Sequence, residues 1–444
     1  MEQSKRMKVA MICHFSNVEV REHLPLSKRF FLRQVRKLLH LPAKNEGYAD
    51  IAPWDSNIIK CVKERQDIDL YVLSAHGGLK RSSVSFDVGG IHYTFIRPEM
   101  ANLLKIVIPS VKLWHRLNPM TSIIKKQINR IHPDLVLLVG AENAYYSSSV
   151  LSIKGLPVYV LCQNVINSPE YKASGNLNKK NALTELAIIN HSQYLAVYSK
   201  KHYNLLRQLG YRNYILSFNW PVVSTDESMP MPCKDKEYDF INFALHMSKE
   251  KGYHDCIKAL SIVKQSHPDV RLCLVDGGYD TVRDELKQLI KEFHLENNVT
   301  FVPLFADRND LFQFLQKVRF AVLPCKMDHI SGTQLQSMKY GLPLVCYKTT
   351  GTPSLNIDKQ CVLIAEMDDV EQLAEKMLLL MDKPDLAEEL RNNSLDYTKK
   401  RRAQSLGNMQ RLVDNFNAII SNVKEGTPIP KEQLFEFQLE NSQA

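Results

Sequence analysis

The amino-acid sequence predicts an α/β fold with two Rossmann-like domains, which we expect to face each other across a cleft. Three observations lead to this prediction. The chain has 444 residues, which is too long for one ordinary core and fits two. Short runs rich in Val, Ile and Leu alternate with amphipathic stretches, as in βα units around a parallel sheet. The alternation pauses in a Pro-containing stretch, residues 220–232, and then restarts.

The buried strands of both halves are predicted from these apolar runs. In the first half they are Lys8–Cys13, Leu70–Ser74, Leu135–Val139, Val158–Leu161 and Tyr194–Val197. In the second half they are Phe240–Ala244, Arg271–Val275, Val299–Val302, Phe320–Leu323, Leu344–Cys346 and Val362–Ile364. We therefore place an N-terminal domain at residues 1–222 and a C-terminal domain at residues 233–395. A helix at 396–422 is expected to pack back toward the N-terminal domain, and the polar tail 426–444 is expected to be poorly ordered.

Several classes of site are excluded by the composition. No segment is a long apolar run, and the start of the chain lacks the pattern of a signal peptide, so we expect a cytoplasmic protein. Nine cysteines without a CxxC pair predict neither a disulfide framework nor a zinc site. Asp67 and Asp69 precede a strand, at the end away from the expected cleft, and are interpreted as solvated carboxylates. We therefore predict no metal and no cofactor.

The positive charge lies in the first half of the chain. Residues 1–230 carry 30 Lys and Arg against 17 Asp and Glu, whereas the rest carries 27 against 31. This asymmetry predicts an anionic partner, such as a membrane surface or a lipid-linked phosphate acceptor. Nucleic acid is not expected, because no zinc finger, RNP-like strand or dense basic tract is present. Two basic and apolar stretches, 28–39 and 103–130, are either core-facing helices or a peripheral membrane contact.

The most informative segment is residues 323–345, where a buried strand leads through a polar loop into a short helix. Ser331 is the expected N-cap, and Gly341 ends the helix before Pro343 begins the next strand. The first helical amides form an anion site, because unpaired donors and the helix dipole both favour a phosphate. The expected amides are those of Ser331, Gly332, Thr333 and Gln334. A purely structural strand–helix turn is the alternative interpretation.

The same segment resembles the group 1 (family 4) glycosyltransferases, whose hallmark is Glu-x7-Glu leading into Ala-Met-Ala-x-Gly-x-Pro. Residues 337–343, Ser-Met-Lys-Tyr-Gly-Leu-Pro, align with its end. The resemblance implies two facing Rossmann-like domains (the GT-B fold) and retaining transfer of a sugar from a nucleotide-sugar. It also implies that the residue at the first Glu, here Asp328, contacts the donor sugar and that the residue at the second, here Gln336, holds the ribose. Both residues differ from the family pattern.

A second match lies upstream, where residues 244–252 occupy the place of the family's Gly-Arg-Leu-x-x-x-Lys-Gly. The resemblance implies that Lys251 and the residue at the arginine position, here His246, clamp the donor diphosphate. Such cations stabilise the negative charge that builds on the leaving group. Lys249 is a nearby cation that can compensate for the missing arginine. Softer matches place Gly277, Gly278 and Gly351 in loops near the donor, or in ordinary turns.

The N-terminal half resembles the family in layout only, so its loops are interpreted from their chemistry. Polar residues follow the predicted strands and are candidates for contacts with the acceptor or the cleft. They are His14, Asn17, His76, Glu142, Gln163 and Asn164, with Glu170 as a further carboxylate. Gln163 stands where many relatives have a histidine, and a glutamine cannot act as a general base. The resemblance implies that the leaving phosphate itself takes the acceptor proton.

These observations predict transfer of a sugar from a nucleotide-sugar to a glycan or lipid-linked glycan, in assembly of a surface polysaccharide such as a lipopolysaccharide or capsule. Two alternatives stay open. One is a donor-binding or scaffold protein of the same fold that has lost turnover, motivated by His246, Gln163 and Gln336. The other is a Rossmann dehydrogenase, which is disfavoured because no GxGxxG follows the first strand.

Overall fold

The fold consists of two compact α/β units. The computed structural model describes residues 6–26, 51–173, 178–221, 236–244, 247–277, 280–305, 308–327 and 330–441. The first unit contains described residues up to 221 together with residues 404–441, and the second contains described residues from 236 to 403. The chain therefore leaves the first unit, completes the second, and returns to the first.

The first unit is built on an eight-stranded sheet in the order β3-β4-β2-β1-β5-β6-β7-β8. Its strands are β1 (Met7–Cys13), β2 (Ile68–Ala75), β3 (Ser83–Val88), β4 (Ile91–Ile96), β5 (Leu135–Val139), β6 (Val158–Leu161), β7 (Tyr194–Val197) and β8 (Tyr214–Ser217). All neighbours pair in parallel except β3 and β4. The central strands are buried on both faces, which explains their continuous apolar runs.

Three strands of this sheet were absent from the sequence prediction. β3 and β4 form an antiparallel hairpin in which Val88 pairs with Ile91. The two residues between them, Gly89 and Gly90, have φ angles of 56° and 78°, as a tight primed turn requires. β8 is a four-residue strand at the far edge, where it pairs with β7. The sheet is therefore wider than the apolar runs indicated.

The helices of the first unit cover both faces of the sheet, so its buried residues form two apolar clusters. They are α1 (Val18–Arg21), α2 (Pro53–Lys63), α3 (Glu99–Val107), α4 (Val111–Leu117), α5 (Pro119–Ile131), α6 (Ala144–Ser147), α7 (Pro169–Ala173), α8 (Lys179–His191) and α9 (Lys200–Gln208). Polar N-caps start many of them: Asn118, for example, accepts from the amide of Met120 and precedes Pro119 at the first helical position.

The second unit is a doubly wound parallel sheet in the order β11-β10-β9-β12-β13-β14. Its strands are β9 (Tyr238–Asn242), β10 (Leu272–Asp276), β11 (Val299–Pro303), β12 (Val318–Val322), β13 (Leu344–Tyr347) and β14 (Leu363–Ala365). Its helices are α10 (Tyr253–Ser266), α11 (Asp280–Glu292), α12 (Arg308–Leu315), α13 (Gly332–Lys339), α14 (Val370–Asp382) and α15 (Pro384–Ala403). The winding direction reverses between the neighbouring strands β9 and β12. All six strands match predicted segments.

The C-terminal region differs from the sequence expectation of a disordered tail. α16 (Ser405–Glu425) contributes Leu412 and Phe416 to an apolar cluster of the first unit. Beyond it, Leu434 pairs with Leu216 of β8, and α17 (Phe435–Asn441) begins with a buried Phe435. The polar composition concealed these apolar anchors, so the expectation of poor order is wrong for residues 426–441. The predicted break near 395 falls inside α15, which continues to Ala403.

Candidate functional site

The two segments that resemble glycosyltransferase motifs meet in the second unit, where the winding of its sheet reverses. One segment follows β9 and the other follows β12, and these strands are neighbours. The amide of Lys326 donates to the carbonyl of Glu250 at 2.9 Å. The ammonium of Lys251 lies 3.7 Å from the sulfur of Cys325. The fold therefore brings Lys251 to the carboxyl end of β12, at the crevice where doubly wound sheets bind ligands.

Gly252 permits this approach of the two loops. Its φ angle is 75°, in the left-handed region, and it stands just before α10. A β-carbon added there would lie 2.4 Å from the carbonyl oxygen of Pro324, which is a backbone atom. No residue with a side chain fits this position without moving the loop after β12. Close contact with the backbone of Pro324 thus requires a glycine directly after Lys251.

The loop after β12 enters α13 through a complete capping box. The Ser331 hydroxyl accepts from the amide of Gln334 at 3.2 Å, and the Gln334 side-chain oxygen accepts from the amide of Ser331 at 2.9 Å. The Gln334 side-chain nitrogen donates to the carbonyl of Leu323 at 3.1 Å. Both side chains are buried. They therefore hold the loop in place, and the amide of Gln334 is not available to a ligand.

The anion-binding capacity of this helix start lies in two amides. Within the described part of the chain, the amides of Gly332 and Thr333 donate to no other group. Gly332 is exposed and Thr333 is partly exposed, so a ligand can reach them. Unpaired amides at a helix N-terminus favour an anion. Of the four predicted amide positions, these two have no acceptor within the described part of the chain.

The remaining predicted donor residues have varied surroundings. Gln336 lies on α13, half-buried, and its side chain bonds no described residue. Lys249 is exposed and lies 3.6 Å from Glu285 on α11. The amide of Gly277 donates to the carbonyl of Val275. The amide of Gly351 donates to the Thr349 hydroxyl at 3.2 Å, so this loop is closed on itself. The positions 328, 246 and 278 lie outside the described residues.

Behind the loop after β12 lies an ion cluster that sequence reasoning missed. The ammonium of Lys326 contacts Asp255 at 2.7 Å and Asp368 at 2.5 Å. Asp255 also accepts from the Tyr347 hydroxyl at 3.0 Å. Burial alone lowers the pKa of Lys326, but the hydrogen bonds to the two carboxylates outweigh it and raise the pKa. Lys326 therefore stays charged and fixes the loop against α10, β13 and the segment before α14.

In the first unit, three predicted cleft residues have mainly local partners. His14, directly after β1, accepts from or donates to the Tyr145 hydroxyl at 2.6 Å through Nδ1. Asn17 caps α1 by accepting from the amide of Val20 at 3.0 Å. His76 is buried, with Nε2 at 3.2 Å from the Ser16 hydroxyl and Nδ1 at 2.7 Å from the carbonyl of Gly77. Asn17 and His76 therefore serve the local structure, whereas His14 is half-buried at a strand end.

A carboxylate cluster lies near the carboxyl ends of β1 and β5, the neighbouring strands between which the winding of the first sheet reverses. It consists of Glu142 and Asp55, and the amide of Gln163 contacts it. With its amide nitrogen facing Glu142, Gln163 donates to Glu142 Oε1 at 2.8 Å and accepts from Trp54 Nε1. Asp55, in the first turn of α2, is almost fully buried. Two carboxylate oxygens, Asp55 Oδ1 and Glu142 Oε2, are buried without a partner among the described residues. Asn164 follows Gln163 and is half-buried.

The ionisation of this cluster is shifted by its surroundings. Burial raises the pKa of Glu142 to about 7. Burial, and then the neighbouring charge of Glu142, raise the pKa of Asp55 well above its usual range. Two carboxyl groups that share a poorly solvated site resist ionising together. Glu142 therefore takes up a proton near neutral pH.

Glu185 on α8 is a second residue that the sequence did not indicate. Its carboxylate accepts from the amides of Ile166 and Asn167, each at 3.0 Å, and from the Asn167 side chain at 2.7 Å. It thereby holds the loop that carries Gln163. The side chain of Glu170, the other predicted carboxylate of this region, lies outside the described residues. A glutamate inside a helix gives no sequence signal of this role.

Within the described ranges, no three His, Cys, Asp or Glu side chains lie close enough together to hold a metal ion. Metal independence itself is untested and stays a prediction. None of the described helices combines the length and the apolar character that crossing a bilayer requires.

Sequence comparison finds relatives that share the second half of the chain. Residues 224–397 match the family profile described as glycosyl transferases group 1. An uncharacterised glycosyltransferase of Methanocaldococcus jannaschii is 24% identical over 166 residues, which are 37% of this chain and 44% of that protein. The glycogen synthase of Mycobacterium tuberculosis is 28% identical over 139 residues, 31% of this chain and 33% of that protein. These matches thus span less than half the length of each relative.

Structure comparison extends the similarity to nearly the whole chain. The sucrose-phosphate synthase of Thermosynechococcus elongatus aligns over 93% of this chain and 100% of its own, with a TM-score of 0.65 and 15% identity. The Anabaena protein HepE, solved with UDP and glucose, aligns over the same shares with a TM-score of 0.61 and 14% identity. At such identities the likeness concerns the fold. The chain therefore has the two-Rossmann-domain GT-B fold, and its residues 224–397 resemble the glycosyl transferases group 1 family.

Proposed function

We propose that this protein transfers a sugar from a nucleotide-sugar to a glycan or lipid-linked glycan, without a metal and with retention of anomeric configuration. The second unit holds the donor and the first unit binds the acceptor. The pathway we propose is assembly of a surface polysaccharide on the cytoplasmic side of a membrane, which the first unit contacts peripherally. The basic excess of residues 1–230 supports an anionic or membrane-borne partner.

The observation that supports this proposal is that Lys251 and the start of α13 both lie beyond the carboxyl ends of two neighbouring strands of the second unit, β9 and β12. Lys251 reaches the end of β12, and the loop that starts there leads to Gly332 and Thr333, whose amides have no acceptor among the described residues. A nucleotide-sugar presents a diphosphate, which such groups bind. Gln336, on the same helix, has a side chain without a described partner and is proposed to hold a ribose hydroxyl.

In the proposed reaction the bond between the anomeric carbon and the diphosphate oxygen breaks while the acceptor oxygen attacks the same face. The departing phosphate oxygen takes the acceptor proton, so the atoms balance without a side-chain base. Lys251 and the two amides stabilise the charge that develops on the diphosphate. The proposed acceptor contacts are His14 and Glu142, which are half-buried and lie just beyond the carboxyl ends of β1 and β5.

The alternative of a binding protein without turnover rests on the glutamines at positions 336 and 163. Neither carries a charge, so the ribose contact is weaker than with a carboxylate and no base is present in the first unit at that position. Tight binding of a nucleotide-sugar without hydrolysis or transfer, across a panel of sugar acceptors, would favour this alternative.

The proposal is tested by calorimetric titration of nucleotide-sugars into the protein and into its Lys251→Ala variant, followed by transfer assays. Loss of a charge-assisted phosphate contact predicts affinity about 10–100-fold weaker in the variant. Lys258→Ala is the matched control, because Lys258 is an exposed lysine on α10 and is not a predicted donor-binding residue. Equal affinity of the Lys251 variant and the unchanged protein would contradict the donor site. Activity lost on chelation and restored by magnesium or manganese would contradict metal independence.

A further inference from the structure

The exposed apolar side chains of this protein are concentrated in one region of the first unit. Among the described residues twelve large apolar side chains are exposed, and seven of them lie on α3, α4 and α8. We call this region the helical patch. It consists of Met100, Leu103, Ile106 and Val107 on α3, Leu113 and Leu117 on α4, and Leu183 on α8. Ile106 is 80% exposed, the highest value among the twelve. A cluster of this kind marks an interaction surface.

The fold holds these side chains outward. The exposed residues of α3 are spaced three or four apart and so share a face, while Ala101 lies on the opposite, buried face. Trp114 of α4 is buried, and its indole nitrogen donates to the carbonyl of Ala101 at 3.2 Å. His115 lies 2.8 Å from the hydroxyl of Thr184, which ties α4 to α8. The patch is therefore a built surface of three connected helices.

The exposed charged residues beside the helical patch on α3 and α4 are cations, since Glu99 at the start of α3 is half-buried and accepts from the amide of Gly78. From Met100 to Pro133 the sequence has no Asp or Glu, and it has six Lys and Arg. Lys112 and Arg116 are exposed, one turn apart on α4, beside the exposed Leu113 and Leu117. Apolar residues with cations around them suit a surface that is both apolar and anionic. A bilayer containing anionic lipids has these two properties.

We propose that the helical patch docks the protein on the surface of an anionic lipid bilayer, with the leucine, isoleucine and methionine side chains entering the interface and the cations contacting headgroups. A second copy of the chain is a poorer occupant, because an isologous contact would set the cations of each copy against those of the other. The inference rests on the membrane contact of the proposed function and gives that contact its residues.

The experiment is sedimentation of the full chain with vesicles of phosphatidylcholine alone or with phosphatidylglycerol added. We expect binding to the anionic vesicles that weakens with salt, and little binding to the neutral ones. In the variant Leu103→Gln/Ile106→Gln the partition constant should fall at least about ten-fold. In Lys112→Glu/Arg116→Glu it should fall at least about 30-fold.

Matched controls lie in the second unit. Ile357 is 78% exposed, almost as much as Ile106, and Ile357→Gln should bind as the unchanged protein does. Lys287 and Lys291 are exposed and one turn apart on α11, like the cations of α4, so their double exchange to Glu should have a smaller effect than that of Lys112 and Arg116. Circular dichroism and thermal unfolding confirm that each variant is folded.

Three results would overturn the proposal. The first is that the unchanged protein does not bind anionic vesicles, and the second is that it binds neutral vesicles equally well. The third is that a patch variant binds vesicles like the unchanged protein but no longer forms a concentration-dependent dimer in light scattering, which would assign the patch to contact between two copies. The assay contains no nucleotide-sugar, so a chain that binds vesicles but transfers no sugar contradicts the proposed reaction and leaves the docking surface intact.

Discussion

Replacing Gly252 by alanine tests whether backbone contact between the two motif loops organises the second unit. The new residue would keep a φ angle of 75°, which costs about 1–2 kcal/mol for a residue with a side chain. Its β-carbon would also lie 2.4 Å from the carbonyl oxygen of Pro324, and relief of that overlap costs about 1–3 kcal/mol more. We therefore expect destabilisation of about 2–5 kcal/mol. Because Lys251 precedes this residue, nucleotide-sugar affinity should fall as well.

The matched control is Gly341→Ala in the same unit. Gly341 has a φ angle of 67°, but an added β-carbon would meet only side-chain atoms, at 3.4 Å or more. It therefore reports the conformational cost alone, about 1–2 kcal/mol. The three tryptophans, at positions 54, 114 and 220, all precede the second unit, so fluorescence is a poor probe of its unfolding. Amide hydrogen exchange of β10 measures it directly. Equal loss of protection in the two variants would refute the reasoning.

Two further predictions concern the carboxylate cluster and α13. Glu142 has a folded pKa of about 7 against 4.5 for an exposed glutamate, so the folded state holds its proton more tightly. Its contribution to stability, about 3 kcal/mol, is complete below pH about 4.5 and lost as the pH rises through about 7. Urea unfolding of Glu142→Gln should lack this part of the pH dependence. Gln334→Ala breaks the capping box and should lower the free energy of unfolding by about 1–3 kcal/mol. Gln336→Ala should leave the free energy of unfolding unchanged and weaken the binding of nucleotide-sugars.

Each of these has a result that would contradict it. If Glu142→Gln and the unchanged protein lose stability in parallel between pH 5 and 8, the shift does not belong to this residue. If Gln336→Ala destabilises the protein as much as Gln334→Ala does, the division of α13 into a structural side chain and a ligand-facing one fails.

The strands that were predicted correctly share a physical property. β5, for example, is buried along its whole length, so its residues form an unbroken apolar run that stands out in the sequence. β3 alternates between partly buried and exposed positions at the sheet's edge, and its run is interrupted by polar residues. The Gly89–Gly90 pair was the signal that a hairpin joins β3 to β4. Strands at the edge of a sheet are thus harder to predict from the sequence than strands in its core.

The backbone positions of the candidate site residues could be predicted from their places along the chain. The spacing of Lys251 and the start of α13 predicted that each follows a strand of the second sheet, and these two strands, β9 and β12, are neighbours. The partners of buried charges were not predictable, because they come from distant segments. Asp55 is a usual residue for an exposed first helical turn, and Glu185 lies on an ordinary helix, yet each has a buried carboxylate. The burial of these two carboxylates depends on segments that are distant in the sequence and pack against them.

The return of α16 to the first unit affects the order in which the protein folds as it is synthesised. Phe416 belongs to an apolar cluster of the first unit, and the buried Asn415 donates to the Tyr159 hydroxyl at 2.9 Å and to the carbonyl of Ser217 at 3.0 Å. The first unit therefore lacks part of its interior until residues 404–425 have left the ribosome. The second unit is made earlier and is complete in sequence by residue 403. We expect the second unit to fold first on the ribosome. The first unit, although its synthesis begins earlier, would then complete its fold later.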